Sequence, residues 1–320
     1  MALEGPREMA ARSTGGDVVN NPLSADISVV IPTYRREAVL LDTVNYLLEL
    51  SPAPREILLL DQTEAHEPDT ENKLQALSAA GRVRWVRLPE PSIPKAMNQG
   101  LLLATSDLVL FLDDDIRPDE SLFAAHTRTH SERDDVIVAG RVIQPWHAGM
   151  TFPDEERFHF ACSKAQWVNE FMGGNFSIHR KTALSLGGFD ENFVRVAYRF
   201  EAEFAYRFRA SGRKIWYEPR ALINHLKAAG GGTRAYGLLL KTMKPDHSVG
   251  VYYHCLRTRG VREFVWRFVR AATTRFHLKH PWYIPLTMIG EIRGILWALK
   301  LWWHGPRYAV APPSPGVQQP

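Results

Sequence analysis

Five consecutive apolar residues, Leu108-Val-Leu-Phe-Leu112, run straight into three carboxylates, Asp113, Asp114 and Asp115, and then into Ile-Arg-Pro118. An apolar run of this length that ends in charge reads as a strand buried on both faces, with its carboxyl end opening on a ligand crevice. A strand of that kind needs partner strands beside it and helices above and below. The chain supplies them. Short apolar runs at 27–31, 56–60, 83–88, 136–143 and 175–178, and a pair at 214–217 and 221–224, alternate with amphipathic stretches. The helical stretches are 38–50, 71–80, 93–104, 122–130, 181–186 and 199–211, and Pro32, Pro52, Pro91, Pro118 and Pro153 fall between segments. The expected fold class is α/β, a mostly parallel central sheet flanked by helices, with a helical appendage at the C-terminal end.

Composition narrows the class. Across 320 residues, 45% hydrophobic and 23% charged are globular values, which exclude a disordered chain or a fibre. Two cysteines, Cys162 and Cys255, build no disulfide framework, and the first 24 residues are polar, so a cytoplasmic protein is expected. No run approaches the roughly 18 apolar residues of a membrane span. The charge is unevenly placed. Residues 241–320 carry 12 Lys/Arg against 3 Asp/Glu and hold five of the nine tryptophans, while the rest of the chain is net acidic. A basic, aromatic segment on an acidic body suits contact with an anionic surface. The expected organisation is a flexible tail over 1–24, an α/β body over 25–245, a basic Trp-rich helical segment over 246–305 and a disordered Pro-rich tail over 306–320.

Carboxylates at i and i+2 on an extended segment project to one side, so Asp113 and Asp115 can serve one ligand. One can hold a divalent metal and the other a ribose hydroxyl, and hard oxygen donors favour Mg²⁺ or Mn²⁺ bound together with substrate phosphates. An acidic turn closing a strand is the competing reading. The neighbouring motifs weigh against it. They are Ser28-Val-Val-Ile-Pro-Thr-Tyr-Arg-Arg36, Glu56-Ile-Leu-Leu-Leu-Asp-Gln-Thr63, Pro94-Lys-Ala-Met-Asn-Gln-Gly-Leu101, Gly173-Gly-Asn-Phe-Ser-Ile-His-Arg180, Gly187-Gly-Phe-Asp-Glu191, the acidic segment from Phe200 to Gly212, and His225 at a strand end.

In this order the motifs resemble the family 2 glycosyltransferases, inverting enzymes of the GT-A fold that use nucleotide-diphosphate sugars, over about residues 26–235. The resemblance implies that Pro32, Thr33 and Arg35 line the nucleotide pocket and that Asp61 and Gln62 contact the base. It implies that Asp113 holds ribose, with Asp114 counted among the nucleotide-sugar-binding residues, and that Asp115 and His225 hold Mn²⁺ or Mg²⁺. Lys95 and Asn98 are expected to face the same cleft. Where the family commonly opens its acidic helix with Glu-Asp, this chain has Phe200-Glu201, so Glu201 is the expected catalytic base. Glu203 is held in reserve, its competing reading being an Arg-paired or solvated helix residue. Gly230, Gly231 and Gly232 can form a moving loop that carries Arg234 to the diphosphate, or simply a linker. Acceptor contacts are expected from 146–167 and 171–175, and the acceptor is expected to be a glycan, glycolipid or lipid-linked molecule. Peripheral contact with an anionic inner membrane face is expected of the C-terminal segment.

The rival functions are a sugar nucleotidyltransferase, whose Gly-rich loop is missing after the first strand, and a non-catalytic sugar-nucleotide-binding protein. Nucleic acid is not an expected partner, because the basic residues lie among Trp and Leu rather than on a recognisable module. His126 and His130, spaced i and i+4, are read as a surface helix pair rather than a metal site.

Overall fold

The computed structural model describes residues 24–147, 150, 158–233, 240–258 and 260–310. The expected N-terminal tail, apart from Ser24, and residues 311–320 lie outside the described residues. Strand and helix alternate first through β1 (Ser24–Thr33), α1 (Ala38–Glu49), β2 (Ala53–Asp61), α2 (Pro68–Ala79), β3 (Arg84–Arg87), α3 (Ile93–Leu103) and β4 (Leu108–Leu112). There follow β5 (Ile116–Pro118), α4 (Leu122–Glu132), β6 (Ile137–Ile143), β7 (Gln166–Val168), β8 (Asn175–His179), α5 (Arg180–Ser185), α6 (Phe200–Ala210) and β9 (Ile215–His225). The C-terminal helices are α7 (Ser248–Arg257), α8 (Val261–Ala272), α9 (Arg275–Lys279) and α10 (Ile284–Trp303).

One mixed sheet runs β3-β2-β1-β4-β8-β6-β9-β5, with β7 added on β9. Its first four strands are parallel, as the apolar runs predict. Their side chains alternate between two cores. Ile27, Val29, Ile31, Leu59 and Leu110 enter one, while Val30, Leu58, Leu60, Val109 and Phe111 enter the other. Each fully buried residue of this kind contributes about 2 kcal/mol, so the strand pattern alone supplies much of the driving force for the sheet. Gly100 lets α3 lie close on β1, since a Cβ there would meet Val30 Cγ1 at 2.3 Å.

Beyond β4 the sheet departs from the parallel pattern, because β8 enters antiparallel to both β4 and β6. The Gly173-Gly174 turn must reach the acidic end of β4, where Gly174 O accepts from Asp113 N at 3.2 Å. A strand leaving that turn runs back along β4. The two strands expected at 214–217 and 221–224 are one strand, β9, whose register against β6 shifts between Gly140 and Arg141. Strands β5 and β7, three residues each, are too short to show a period of two.

Two further expectations are corrected. His126 and His130 are buried rather than on a surface, because α4 lays this face on the sheet. Their rings bond Ser177 Oγ at 2.7 and 2.8 Å, and His126 also reaches Asn175 Oδ1 at 3.0 Å. The C-terminal helical appendage packs tightly on the body. Tyr252 and Tyr253 of α7 sit in the main core, and Gly250 packs so tightly that a Cβ would meet Tyr198 O at 2.3 Å. Residues 306–310, expected to be disordered, are docked: Glu191 N donates to Arg307 O at 2.8 Å and Ala309 N to Gly187 O at 2.9 Å.

Burial pushes His126 down to about 4 and His130 down to about 3, the latter helped by the charges of His179 and His126. A histidine whose folded-state pKa is depressed stabilises fully above its unfolded pKa and loses that contribution as pH falls through the window below it. We expect stability to decline from pH 6.5 towards pH 4, by about 2 kcal/mol per histidine at pH 5. Urea denaturation at pH 7 and pH 5 checks this. His126→Gln should flatten the pH dependence, and a steeper loss in that variant would contradict the assignment.

Candidate active site

The carboxyl ends of β1 and β4 open on a cleft of about 320 Å³, lined by Pro32, Thr33, Arg36, Gln62, the three aspartates, Gly173, Gly174, Glu201, His225 and the Gly231–Thr233 loop. Opposing turns build it, because each side chain sits at or just past an element end. At the floor, Arg36 binds two carboxylates at once, with Nε to Asp114 Oδ1 at 3.1 Å and Nη2 to Asp115 Oδ2 at 3.1 Å. Its remaining nitrogen, Nη1, donates to Ala228 O at 3.2 Å and to Gly230 O. Thr33 Oγ1 donates to Asp114 Oδ2 at 2.7 Å. Burial, opposed by Arg36 and reinforced by the charge of Asp115, pushes Asp114 up to about 7. Asp114 is thus tied to Arg36 and Thr33 at the floor of the cleft.

Asp115 faces the opposite way. Its Oδ1 lies 3.0 Å from His225 Nε2, and its Oδ2 also accepts from Ala228 N at 2.8 Å. Burial raises its pKa, but the bond and charge of His225, with Arg36 and the Ala228 amide, outweigh that and leave it low. His225 Nδ1 donates to Gln144 Oε1 at 2.8 Å, which orients the ring and turns Nε2 towards the carboxylates. For this ring burial acts downward, while its bond to Asp115 and the charges of Asp113 and Asp115 act upward and prevail. Ligand atoms of Asp113, Asp115 and His225 all lie within 4.8 Å of one another, and a hard-oxygen set with one oriented imidazole fits a divalent cation. A second cluster, His254, Cys255 and Glu263, fits less well, because Arg199 and Arg267 stand 3.5 and 3.8 Å from the Glu263 carboxylate.

Glu201 enters from α6. The preceding turn holds three non-glycine residues at positive φ, Arg195, Ala197 and Arg199, which starts the helix abruptly at the cleft rim and sets Glu201 in its first turn. Gly173 and Gly174 separate Glu201 from Asp113: a Cβ on Gly173 would lie 3.0 Å from Glu201 Oε1, and one on Gly174 2.0 Å from Asp113 Oδ2. Glu203 points into the protein instead. Arg207 clasps it from Nε at 2.8 Å and Nη2 at 2.9 Å, and Arg257 stands 3.5 Å away. The Arg-paired reading of Glu203 is the one observed.

Several sequence expectations shift here. Asp61 does not reach the cleft, because His66, Trp85 and Thr63 N occupy its oxygens at 2.8, 2.9 and 2.8 Å. Gln62 lines the cleft and holds Ser92 N. Lys95 turns outward to Glu90 at 2.8 Å, and Asn98 braces Phe189 N and O at 2.8 and 2.9 Å; the residues of α3 that line the cleft are Ile93 and Met97. Arg35, with φ +53°, swings away over Tyr34, and the arginine in the site is Arg36. A second basic residue at the end of β1 was the available signal for it. The glycine loop is docked rather than a free linker, since Gly232 N donates to Tyr34 O at 2.7 Å and a Cβ on Gly231 would meet Arg35 O at 2.1 Å. Arg234 lies outside the described residues.

Residues 28–188 match the sequence profile of Glycosyl transferase family 2. A glucosyl-dolichyl phosphate glucuronosyltransferase of Haloferax volcanii is 25% identical over 219 residues, covering 62% of this chain and 68% of that protein. A validoxylamine A glucosyltransferase of Streptomyces hygroscopicus subsp. limoneus is 25% identical over 220 residues, 58% of this chain and 48% of its own length. Among solved structures, GalNAc-T7 with UDP, GalNAc and Mn²⁺ superposes with a TM-score of 0.59 at 14% identity, over 88% of this chain and 56% of that one. The mannosyltransferase PcManGT from Pyrobaculum calidifontis, in complex with GDP-Man and Mn²⁺, gives 0.52 at 18% identity, over 88% of this chain and 79% of that one. The chain thus spans about half the length of some of these proteins. The structural neighbours establish the fold as GT-A.

Two substitutions separate cleft from scaffold. Gly174→Ala should displace Asp113 and weaken Mn²⁺ binding at least ~10-fold with the fold retained, because its carboxylate, one of the three clustered ligand groups, must shift. Titration calorimetry reads this, and unchanged affinity would remove Asp113 from the cation seat. Glu203→Gln should cost about 3 kcal/mol in urea unfolding, the usual result of breaking a buried ion pair, while leaving Mn²⁺ binding intact.

Proposed function

This chain belongs to glycosyl transferase family 2, and from that premise we propose that it is an inverting hexosyltransferase moving a sugar from a nucleoside diphosphate donor to an acceptor hydroxyl. The observation that carries the reading is the cleft itself: Asp113, Asp115 and His225 gather on one side of the Gly173-Gly174 turn and Glu201 stands on the other. Such a site separates leaving-group chemistry from acceptor chemistry. Pro32, Thr33 and Gln62 form the wall for the nucleoside, and Asp113, on the open side of the seat, takes a ribose hydroxyl. Asp115 and His225 hold Mn²⁺ or Mg²⁺, whose chemistry when bound is charge neutralisation on the departing diphosphate.

Glu201 accepts the proton of the acceptor hydroxyl as that oxygen bonds to the anomeric carbon, and the diphosphate oxygen leaves from the opposite face with the electron pair of the broken bond. Its carboxylate reaches the cleft from a helix start, so the acceptor must arrive over the rim formed by Tyr198, Arg199 and Glu170. Phe171–Gly174 supply the floor beneath the acceptor. Arg36 positions rather than reacts: it holds Asp115 in place and fastens the glycine loop beside the seat. The likeness to a dolichyl phosphate glycosyltransferase favours a lipid-linked acceptor. Among the described residues no helix is long and apolar enough to cross a membrane.

A panel of nucleotide sugars with Mn²⁺, scored by nucleoside diphosphate release, tests the reading. Glu201→Gln should keep donor binding and lower turnover by roughly 10²–10⁴-fold. Asp115→Ala should abolish Mn²⁺-dependent nucleoside diphosphate binding. Full turnover in Glu201→Gln would remove the base, and release by no donor would remove the function.

A further inference from the structure

Helix α10 has two apolar faces, and among the described residues only one is covered. Thr287, Gly290, Gly294 and Ala298 form a small-residue face that α7 approaches closely, since a Cβ on Gly294 would lie 2.1 Å from Ser248 Oγ. On the opposite side Ile289, Ile292, Leu296, Leu299 and Trp303 recur at intervals of 3, 4, 3 and 4 residues and are exposed, Leu296 at 63% and Trp303 at 82%. That stripe is about 20 Å long at the helical rise. A surface helix ordinarily turns a polar face outward. Here the polar groups, Arg293 and Lys300, stand only along the edge of the stripe. Helix α8, which packs on α7 and α10, repeats the arrangement: Val261, Val265 and Val269 form an exposed line at i, i+4 and i+8, beside Trp266 and the exposed Arg262 and Arg270.

We propose that these outer faces of α8 and α10 seat the protein flat on an anionic phospholipid bilayer, at headgroup depth, with the cleft rim held beside the lipid surface. This rests on the lipid-linked acceptor reading and names the surface that would serve it. Charge decides between a bilayer and a second copy of the chain. Residues 241–320 carry 12 Lys/Arg against 3 Asp/Glu, so pairing the face with itself would bring two basic surfaces together, whereas an anionic bilayer complements it. Tryptophans bordering the stripes suit the headgroup layer. An apolar face with basic edges on a helix too polar to span is the form that lies in the interface plane. The rim is joined directly to this surface, because Arg199, which lines the cleft, contacts Glu263 of α8 at 3.5 Å and Glu170 at 3.6 Å.

The full chain is sedimented at low salt with vesicles of equal phosphatidylglycerol and phosphatidylcholine, and with phosphatidylcholine alone. We expect binding to the mixed vesicles and at least ~10-fold weaker partition to phosphatidylcholine. The I292S/L296S/W303S variant should lose at least ~10-fold in partition, as should the R293E/K300E variant, with melting and soluble nucleoside diphosphate release unchanged. Wild type left in the supernatant, or equal sedimentation of the serine variant, would overturn the proposal. So would a wild-type dimer in light scattering that the serine variant converts to monomer. Vesicle binding without any sugar-nucleotide turnover would uphold this surface and sink the function proposed above; turnover without vesicle binding would do the reverse.

Discussion

One guanidinium organises the catalytic end of this protein. Arg36 sits between two buried carboxylates and two loop carbonyls, and each of those groups would carry a heavy desolvation cost alone. Asp114 is held at the floor by Arg36 and Thr33, and this lets Asp115 turn its other oxygen towards His225. The same side chain closes the glycine loop over the end of β1. Removing Arg36 would therefore strand two carboxylates and release a loop, which makes it a structural keystone of the site.

A second buried network does for α6 what Arg36 does for β4. Glu203 is gripped by Arg207, and Arg257 of α7 stands within 3.6 Å of both Glu203 and Asp190. Tyr253 OH donates to Asp190 at 2.7 Å, and Tyr308 OH accepts from Arg257 at 2.6 Å. The helix that presents Glu201 is thus locked from below by residues that come after the sheet in sequence. These contacts fasten the C-terminal segment to the body.

What could be read in the sequence follows from which forces act locally. Strand ends were legible at Thr33, Gln62, Asp113–Asp115 and His225, because an apolar run that stops in polar residues fixes both the strand and its mouth. Glu201 was picked out only by its place in the family motif, at Phe200-Glu201, while helical phase said no more than that Glu201 and Glu203 point apart. In the fold Glu201 lines the cleft and Glu203 faces Arg207. Residues whose direction depends on a distant partner were not legible. Asp61 reads like a ligand contact, yet His66 and Trp85 claim it. Lys95 and Asn98 lie on other faces of α3, turned to Glu90 and Phe189, and the phase of the helix gives the cleft to Ile93 and Met97. The left-handed turn at Arg35 exchanges the roles of two adjacent arginines, a reversal that no residue-type argument contains. The buried histidines of α4 escaped because their partners, Asn175 and Ser177, come some 50 residues later.

The proposed cation seat draws on both halves of the sheet. Its walls come from β1, β4, the Gly173-Gly174 turn, the start of α6 and the last residue of β9, and β9 lies beyond β8 and β6 in strand order. A nascent chain that has completed only its parallel half has the aspartates but neither His225 nor the loop that fastens Asp115. Any ligand of the seat consequently favours the finished sheet over every partly formed one by mass action.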